Sequence, residues 1–284
     1  MINKAFARLA DSRTLAYSES GPAQGQPIIA FHGIPGSRLQ HGSLTVLHEI
    51  GVRLIVVDRP GIGLSDFYEG RTLLDWPDDI AQLADSLSLN RFAVLGFSGG
   101  GIYAAACAYK IPHRITCTAL LGCLAPLDVP TMADTMPQAS RGLFETTAQD
   151  YRQAEQQLTQ LLDSPEALFD VMEATAAPVD KKLFAVPDFR QMFLQNMAES
   201  CRQGLGGIAY DMSIAAKPWG FDPSEIETPV VLWHGTADAN VPVAMGRYLA
   251  KTIAQCQAQF VPDAGHYFMF EHWEEILLRL TGQS

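Results

Sequence analysis

The chain has 284 residues, 48% hydrophobic and 18% charged, with 23 Gly and 17 Pro, a composition that excludes disordered, collagenous and coiled-coil architectures. Twenty Lys and Arg stand against 31 Asp and Glu, a net charge of −11, which repels a polyphosphate backbone and argues against a nucleic-acid partner. At this length one α/β core carrying an insertion is expected, large enough to fold without disulfides or metals.

In chain order, apolar segments 6–9 and 15–19 around Asp11-Ser12-Arg13 predict an antiparallel hairpin. Strands follow at 27–32, 53–58, 91–97, 115–122 and 229–234, each nearly continuous in apolar residues, the pattern of strands buried on both faces of a parallel sheet. Helices are expected at 39–50, at 78–89 behind Trp76-Pro77, and at 99–110, 243–255 and 271–280. Strands alternating with helices predict a doubly wound α/β sheet.

The alternation breaks after Leu124-Ala125-Pro126. From 127 to 222 the strand signal vanishes, and helices are expected at 148–162, 165–176 and 187–201. This insertion carries seven Lys and Arg against fourteen Asp and Glu, so most of the excess negative charge sits here. The predicted organisation is a core of 1–126 and 223–284 with a helical insertion at 127–222.

Residues Met1 to Arg8 lack an apolar run of signal-peptide length, and no stretch reaches the roughly 18 apolar residues of a membrane span. A cytoplasmic protein without a membrane partner is expected. Cys107, Cys117, Cys123, Cys201 and Cys256 are odd in number and scattered, which suggests small buried hydrophobes and neither a disulfide framework nor a zinc site. No metal or cofactor is expected, because no His, Cys, Asp or Glu pair has ligand-like spacing on one element. Gly204-Leu205-Gly206-Gly207 is no phosphate loop, since no strand precedes it and no lysine follows.

Gly96-Phe97-Ser98-Gly99-Gly100 fits G-x-S-x-G between a strand and a helix, the context that gives the pattern meaning. An abrupt strand-to-helix turn strains the apex residue, and flanking glycines let neighbouring elements approach. A serine hydroxyl is a weak nucleophile, so it needs a base in reach and a third group to orient that base. Two late strand ends supply them: Trp233-His234-Gly235-Thr236-Ala237-Asp238 a carboxylate, and Val261-Pro262-Asp263-Ala264-Gly265-His266 an imidazole. The order nucleophile, acid, histidine is the one this motif class uses.

With these loops, His32-Gly33-Ile34-Pro35-Gly36-Ser37-Arg38 and Asp58-Arg59-Pro60-Gly61-Ile62-Gly63-Leu64-Ser65, nearly the whole chain resembles the α/β-hydrolase fold family. The resemblance implies a mostly parallel eight-stranded sheet flanked by helices, with 127–222 as an α-helical cap. It implies Ser98 as nucleophile, His266 as base and then acid, and Asp238 as the orienting carboxylate. The backbone N–H groups of Ile34 and Gly99 would form the oxyanion hole, by position alone. Asp128 is the rival acid, since some members of the family take theirs after that strand. His32 and His234 read as loop-fixing residues, Asp263 as a turn-former and Asp58-Arg59-Pro60-Gly61 as scaffold. His41, His48, His113 and His272 fall in or beside helices. Of the Met and Phe residues in the insertion, a subset is expected to line a pocket and the rest to form its core.

The expected activity is cofactor-free hydrolysis of a small, partly apolar carboxylic ester or lactone through an acyl-enzyme. A same-fold aminopeptidase, C–C bond hydrolase, thioesterase or perhydrolase uses the same residues, although Ile34 departs from the aminopeptidase loop and the acidic insertion opposes polyanionic thioesters. A non-catalytic ligand receptor and a lyase or cofactor-free oxygenase stand as readings from other classes. Oligomeric state is left open, a homodimer included.

Overall fold

Runs of β-branched and large apolar residues become strands here because both faces of the sheet are covered. The structure, a computed structural model, describes residues 3–162 and 164–283. Asp163, one of the insertion's acids, lies outside them, as do Met1 and Ile2 of the N-terminal segment and Ser284. Eight strands form one sheet: β1 (Asn3–Arg8), β2 (Thr14–Ser20), β3 (Gln26–Phe31), β4 (Val52–Val57), β5 (Phe92–Phe97), β6 (Ile115–Leu121), β7 (Val230–Gly235) and β8 (Cys256–Val261). Their order is β1-β2-β4-β3-β5-β6-β7-β8. The β1–β2 and β2–β4 pairs are antiparallel and the others parallel, so the expected hairpin forms an antiparallel edge on a parallel sheet.

Alternate residues of the central strands feed two cores. Ile29, Phe31, Ile55, Val57 and Val94 pack with α2 (Trp76–Ser86), α3 (Gly100–Lys110) and α10 (Val243–Thr252). Ile28, Ala30, Leu54, Val56 and Leu95 pack with α1 (Leu44–Glu49) and α11 (Trp273–Thr281). Helix α1 is shorter than the expected 39–50. Gly42 lies against the Trp273 ring where a Cβ would not fit, and His41 Nδ1 bonds the Gly42 carbonyl, so the chain follows the α11 surface before turning helical.

Among the described residues six α-helices lie between β6 and β7: α4 (Gln138–Gln149), α5 (Tyr151–Leu161), α6 (Pro165–Thr175), α7 (Pro178–Phe184), α8 (Pro187–Ser200) and α9 (Gly206–Ala215). The expected helix 148–162 corresponds to α5 and begins later than expected, because Asp150 has an extended backbone (φ −152°) that ends the unexpected α4 and a carboxylate that accepts the N–H groups of Arg152 and Gln153 to start α5. Prolines at the first turn begin α6, α7 and α8, where their missing N–H costs nothing. Helix α9 is buried nearly throughout, and Gly207 permits its backbone to touch the Gly61 carbonyl. Among the described residues no helix is long and apolar enough to cross a membrane.

Parallel pairing brings the carboxyl ends of β3, β5, β6, β7 and β8 to one edge of the sheet. Phe31 is level with Gly96, Phe97 with Leu121, Leu121 with Trp233, and Gly235 with Val261. The loops carrying Ile34, Ser98, Asp238 and His266 all leave from that edge, where open α/β sheets bind ligands.

Candidate active site

Ser98 is the first residue beyond β5 and adopts φ +53°, a conformation that costs a non-glycine residue roughly 1–3 kcal/mol. The surrounding backbone over-determines it. The Ser98 N–H donates to the Leu121 carbonyl at 2.7 Å, and its own carbonyl accepts the Gly101 N–H at 2.9 Å. A Cβ on Gly96 or Gly100 would collide with neighbouring backbone, and one on Gly101 with the Cys123 side chain. The glycines therefore let α3 start directly against β3 and β5, leaving the serine at the apex and half-buried.

The imidazole of His266 is buried, and its Nδ1 lies 2.7 Å from Asp238 Oδ2. The Asp238 side chain is fully buried. Its Oδ1 accepts the N–H groups of Asn240 and Val241 at 2.9 and 2.8 Å, which fixes the carboxylate plane and leaves Oδ2 for the histidine. Gly122 (φ +52°), just beyond β6, passes beneath this pair, where a Cβ would sit 3.3 Å from the imidazole and 3.5 Å from Oδ2. Of the two acids weighed from sequence, Asp238 joins the histidine, whereas Asp128 is exposed. Asp263 is exposed, at φ +57°, with its N–H on Thr236 Oγ1, and shapes the turn.

Neither other buried histidine near the edge is suited to act as a base. Burial, then the neighbouring Arg59 charge, holds His32 well below its ordinary range, and its Nδ1 lies 2.9 Å from the Gly33 carbonyl. Burial likewise lowers His234, against the pull of Asp238. Its Nε2 donates to the Val241 carbonyl at 2.9 Å and lies 3.4 Å from Asp238 Oδ2. Both tie loops together.

The loop after β3 is held from behind by a buried charge cluster. Arg59 donates to the carbonyls of His32 and Gly33, the latter at 2.8 Å, and its Nε pairs with Asp211 at 2.7 Å. Asp211 also accepts from Arg71 at 2.6 Å and Tyr103 at 2.8 Å. Burial alone would raise its carboxyl, but the two guanidinium charges outweigh that and hold it low. Arg59 thus serves as scaffold, as the sequence suggests. Its hydrogen bond also polarises the Gly33–Ile34 peptide, whose N–H is that of Ile34. The Gly33 N–H is occupied by Gln40 Oε1 at 2.8 Å. Among the described residues, the Ile34 and Gly99 N–H groups donate to no protein acceptor. Ile34 covers Gly99, where a Cβ would lie 2.6 Å from Ile34 Cγ1 and Cδ1.

Ser98, His266, Ile34 and Gly99 line a cavity of about 460 Å³, together with Met136, Phe144, Met172, Phe193 and Met212 of the segment between β6 and β7. Among the described residues no Asp, Glu, Lys or Arg lines this cavity. Phe169, Phe184 and Met197 are instead packed in the core. Among the described residues no group of three His, Cys, Asp or Glu converges as metal ligands would.

A sequence profile of the alpha/beta hydrolase fold matches residues 26–272. The chain belongs to the α/β hydrolase fold family. It is 28% identical over 241 residues to a non-heme chloroperoxidase of Streptomyces lividans, covering 82% of each chain. It is 25% identical over 249 residues to the pimeloyl-[acyl-carrier protein] methyl ester esterase of Aromatoleum aromaticum, covering 87% of this chain and 94% of that one. Among solved structures, the enol-lactonase of Burkholderia xenovorans superposes with a TM-score of 0.75 at 21% identity, covering 98% and 100% of the two chains. That likeness concerns the fold alone.

Several site residues of this α/β hydrolase fold chain escape motif reading. Asp211 leaves a trace, a lone acid inside the apolar segment Ile208-Ala209-Tyr210-Asp211-Met212. Asp180, Asn196 and Gln40 leave none, because their partners, backbone N–H groups and for Asn196 also the Ser37 hydroxyl, are brought close only by the fold.

Proposed function

We propose that this chain is a cofactor-free serine hydrolase cleaving a neutral, partly apolar carboxylic ester or lactone through an acyl-enzyme. The observation that carries the reading is the 2.7 Å contact between His266 Nδ1 and the fully buried Asp238 carboxylate, on the same cavity as the strained Ser98. A buried carboxylate at Nδ1 keeps the proton there, which leaves Nε2 as the basic nitrogen.

Ser98 Oγ adds to the acyl carbon while His266 Nε2 takes its proton. The carbonyl oxygen gains the negative charge and accepts the N–H groups of Ile34 and Gly99. Collapse of the adduct breaks the C–O bond, and His266 returns the proton to the departing alkoxide. Water then adds to the acyl-enzyme by the same route, releasing the acid and restoring Ser98. Helices α4 to α9, within 127–222, act as the cap that walls this reaction from solvent and sets substrate size. A lining without charged side chains favours a neutral substrate. The methyl ester esterase among the relatives supports ester chemistry.

Release of acid from neutral aryl and alkyl esters, with ¹⁸O from labelled water appearing in the acid, tests the reading. Ser98→Ala is expected to lower kcat by roughly 10⁴-fold or more. An Ser98→Ala variant that keeps its rate contradicts the mechanism.

A further inference from the structure

Three carboxamides line the cavity, those of Gln40, Asn196 and Asn240, and the first two have their oxygen fixed by a backbone donor. Asn196, on α8 and only 3% exposed, accepts the Ser37 N–H at 2.9 Å and Ser37 Oγ at 2.7 Å through Oδ1. Gln40 accepts the Gly33 N–H at 2.8 Å through Oε1. A backbone N–H can only donate, so the atom facing it must be the amide oxygen. The NH₂ groups therefore point the other way, with no ambiguity of flip. Among the described residues neither Nδ2 nor Nε2 donates to a protein acceptor, and neither is sealed inside protein. For a residue as buried as Asn196, the space that its Nδ2 reaches is the cavity that it lines.

A pre-oriented donor in a cavity lined mainly by apolar side chains loses free energy unless something accepts from it. We infer that the substrate carries a second carbonyl oxygen, apart from the scissile ester, which accepts from Asn196 Nδ2 with Gln40 Nε2 beside it. A carboxylate would also accept, but with no Lys or Arg in the lining it would be desolvated without a counter-charge. The acceptor is thus a neutral carbonyl, and the substrate class narrows to oxo- or acylamino-substituted esters and lactones. This inference rests on the serine-hydrolase reading.

The test uses two matched series. In one, p-nitrophenyl hexanoate is compared with its 3-, 4- and 5-oxo derivatives. In the other, butyl hexanoate is compared with hexanoate esters of oxobutanols. The wild type is expected to favour at least one oxo ester over its methylene parent by about tenfold or more in kcat/KM, expressed mainly in KM. Asn196→Asp keeps an oxygen for Ser37 and replaces the donor by an acceptor, and Gln40→Met removes the second donor. The preference should fall to about twofold or less in Asn196→Asp and shrink in Gln40→Met. Hydrolysis of the parents with no preference in either series overturns the inference and leaves the hydrolase reading standing. So does a preference unchanged in both variants. No hydrolysis of any ester by the wild type overturns the hydrolase reading itself, and this inference with it.

Discussion

Asp180 Oδ2 accepts the backbone N–H of His266 at 2.9 Å, while its Oδ1 accepts that of Tyr267 at 3.1 Å. One buried carboxylate on α7 thus holds two successive peptide groups of the loop carrying the imidazole, and Gly265 leaves the space it occupies. Burial pushes its carboxyl up, against the pull of the two N–H groups. The helices between β6 and β7 are in this way tied to the histidine itself.

Removing that tie should act on activity and stability together. Asp180→Ala leaves two buried N–H groups without a partner, at roughly 1–3 kcal/mol each. We expect a Tm drop of several degrees and kcat on a neutral ester reduced about tenfold or more, with Asp180→Asn intermediate because it retains one acceptor. Thermal unfolding and steady-state kinetics on the same preparations check this. A folded Asp180→Ala with wild-type kcat contradicts a positioning role.

Gly99 and Ile34 form a size-matched pair. Gly99 has an ordinary helical φ of −57°, so alanine is acceptable there except for the Ile34 side chain that its Cβ would meet at 2.6 Å. Gly99→Ala should therefore displace the loop bearing one of the two N–H groups proposed to hold the oxyanion, and lower kcat by about tenfold. Ile34→Ala in the same chain should recover much of that loss, a coupling read from a double-mutant cycle. Strictly additive effects contradict the pairing.

Acid sensitivity should begin above the carboxylate range. Folded His32 and His234 are held below the ordinary 6.5 by burial, whereas the unfolded chain takes up those protons near 6.5. The unfolded state then binds more protons, so stability is full above 6.5 and is lost as pH falls below it. The raised carboxyls of Asp58 and Asp180 act with opposite sign, nearer their own range. We expect Tm to fall between about pH 8 and about pH 5.5, and to fall less in a His32→Asn, His234→Gln variant, which retains a donor toward Gly33 and Val241. A flat Tm across that window contradicts the account.

The sheet was legible because strands buried on both faces are written as unbroken apolar runs, and parallel pairing then brings their carboxyl ends to one edge. The elbow was legible because G-x-S-x-G between an apolar run and a helix is a local pattern, and the close approach of neighbouring elements leaves no room for a Cβ at 96 or 100. The segment between β6 and β7 was less so. Asp150 reads equally as a helix residue and as an N-cap, so α5 was expected to start too early, α4 was not expected at all, and α7 is too short to show a period. Asp180 and Asn196 were invisible for a different reason. They bond backbone groups 86 and 159 residues away, and a backbone N–H leaves no mark on the residue that accepts from it.

The most direct test of the central claim is the intact mass of the protein after incubation with a fluorophosphonate probe. The wild type, Ser98→Ala and His266→Ala are compared, each shown to be folded. A serine activated by the His266–Asp238 pair should give a single phosphonyl adduct on the wild type and none on either variant. An adduct retained by Ser98→Ala, or none on the wild type, contradicts Ser98 as an activated nucleophile.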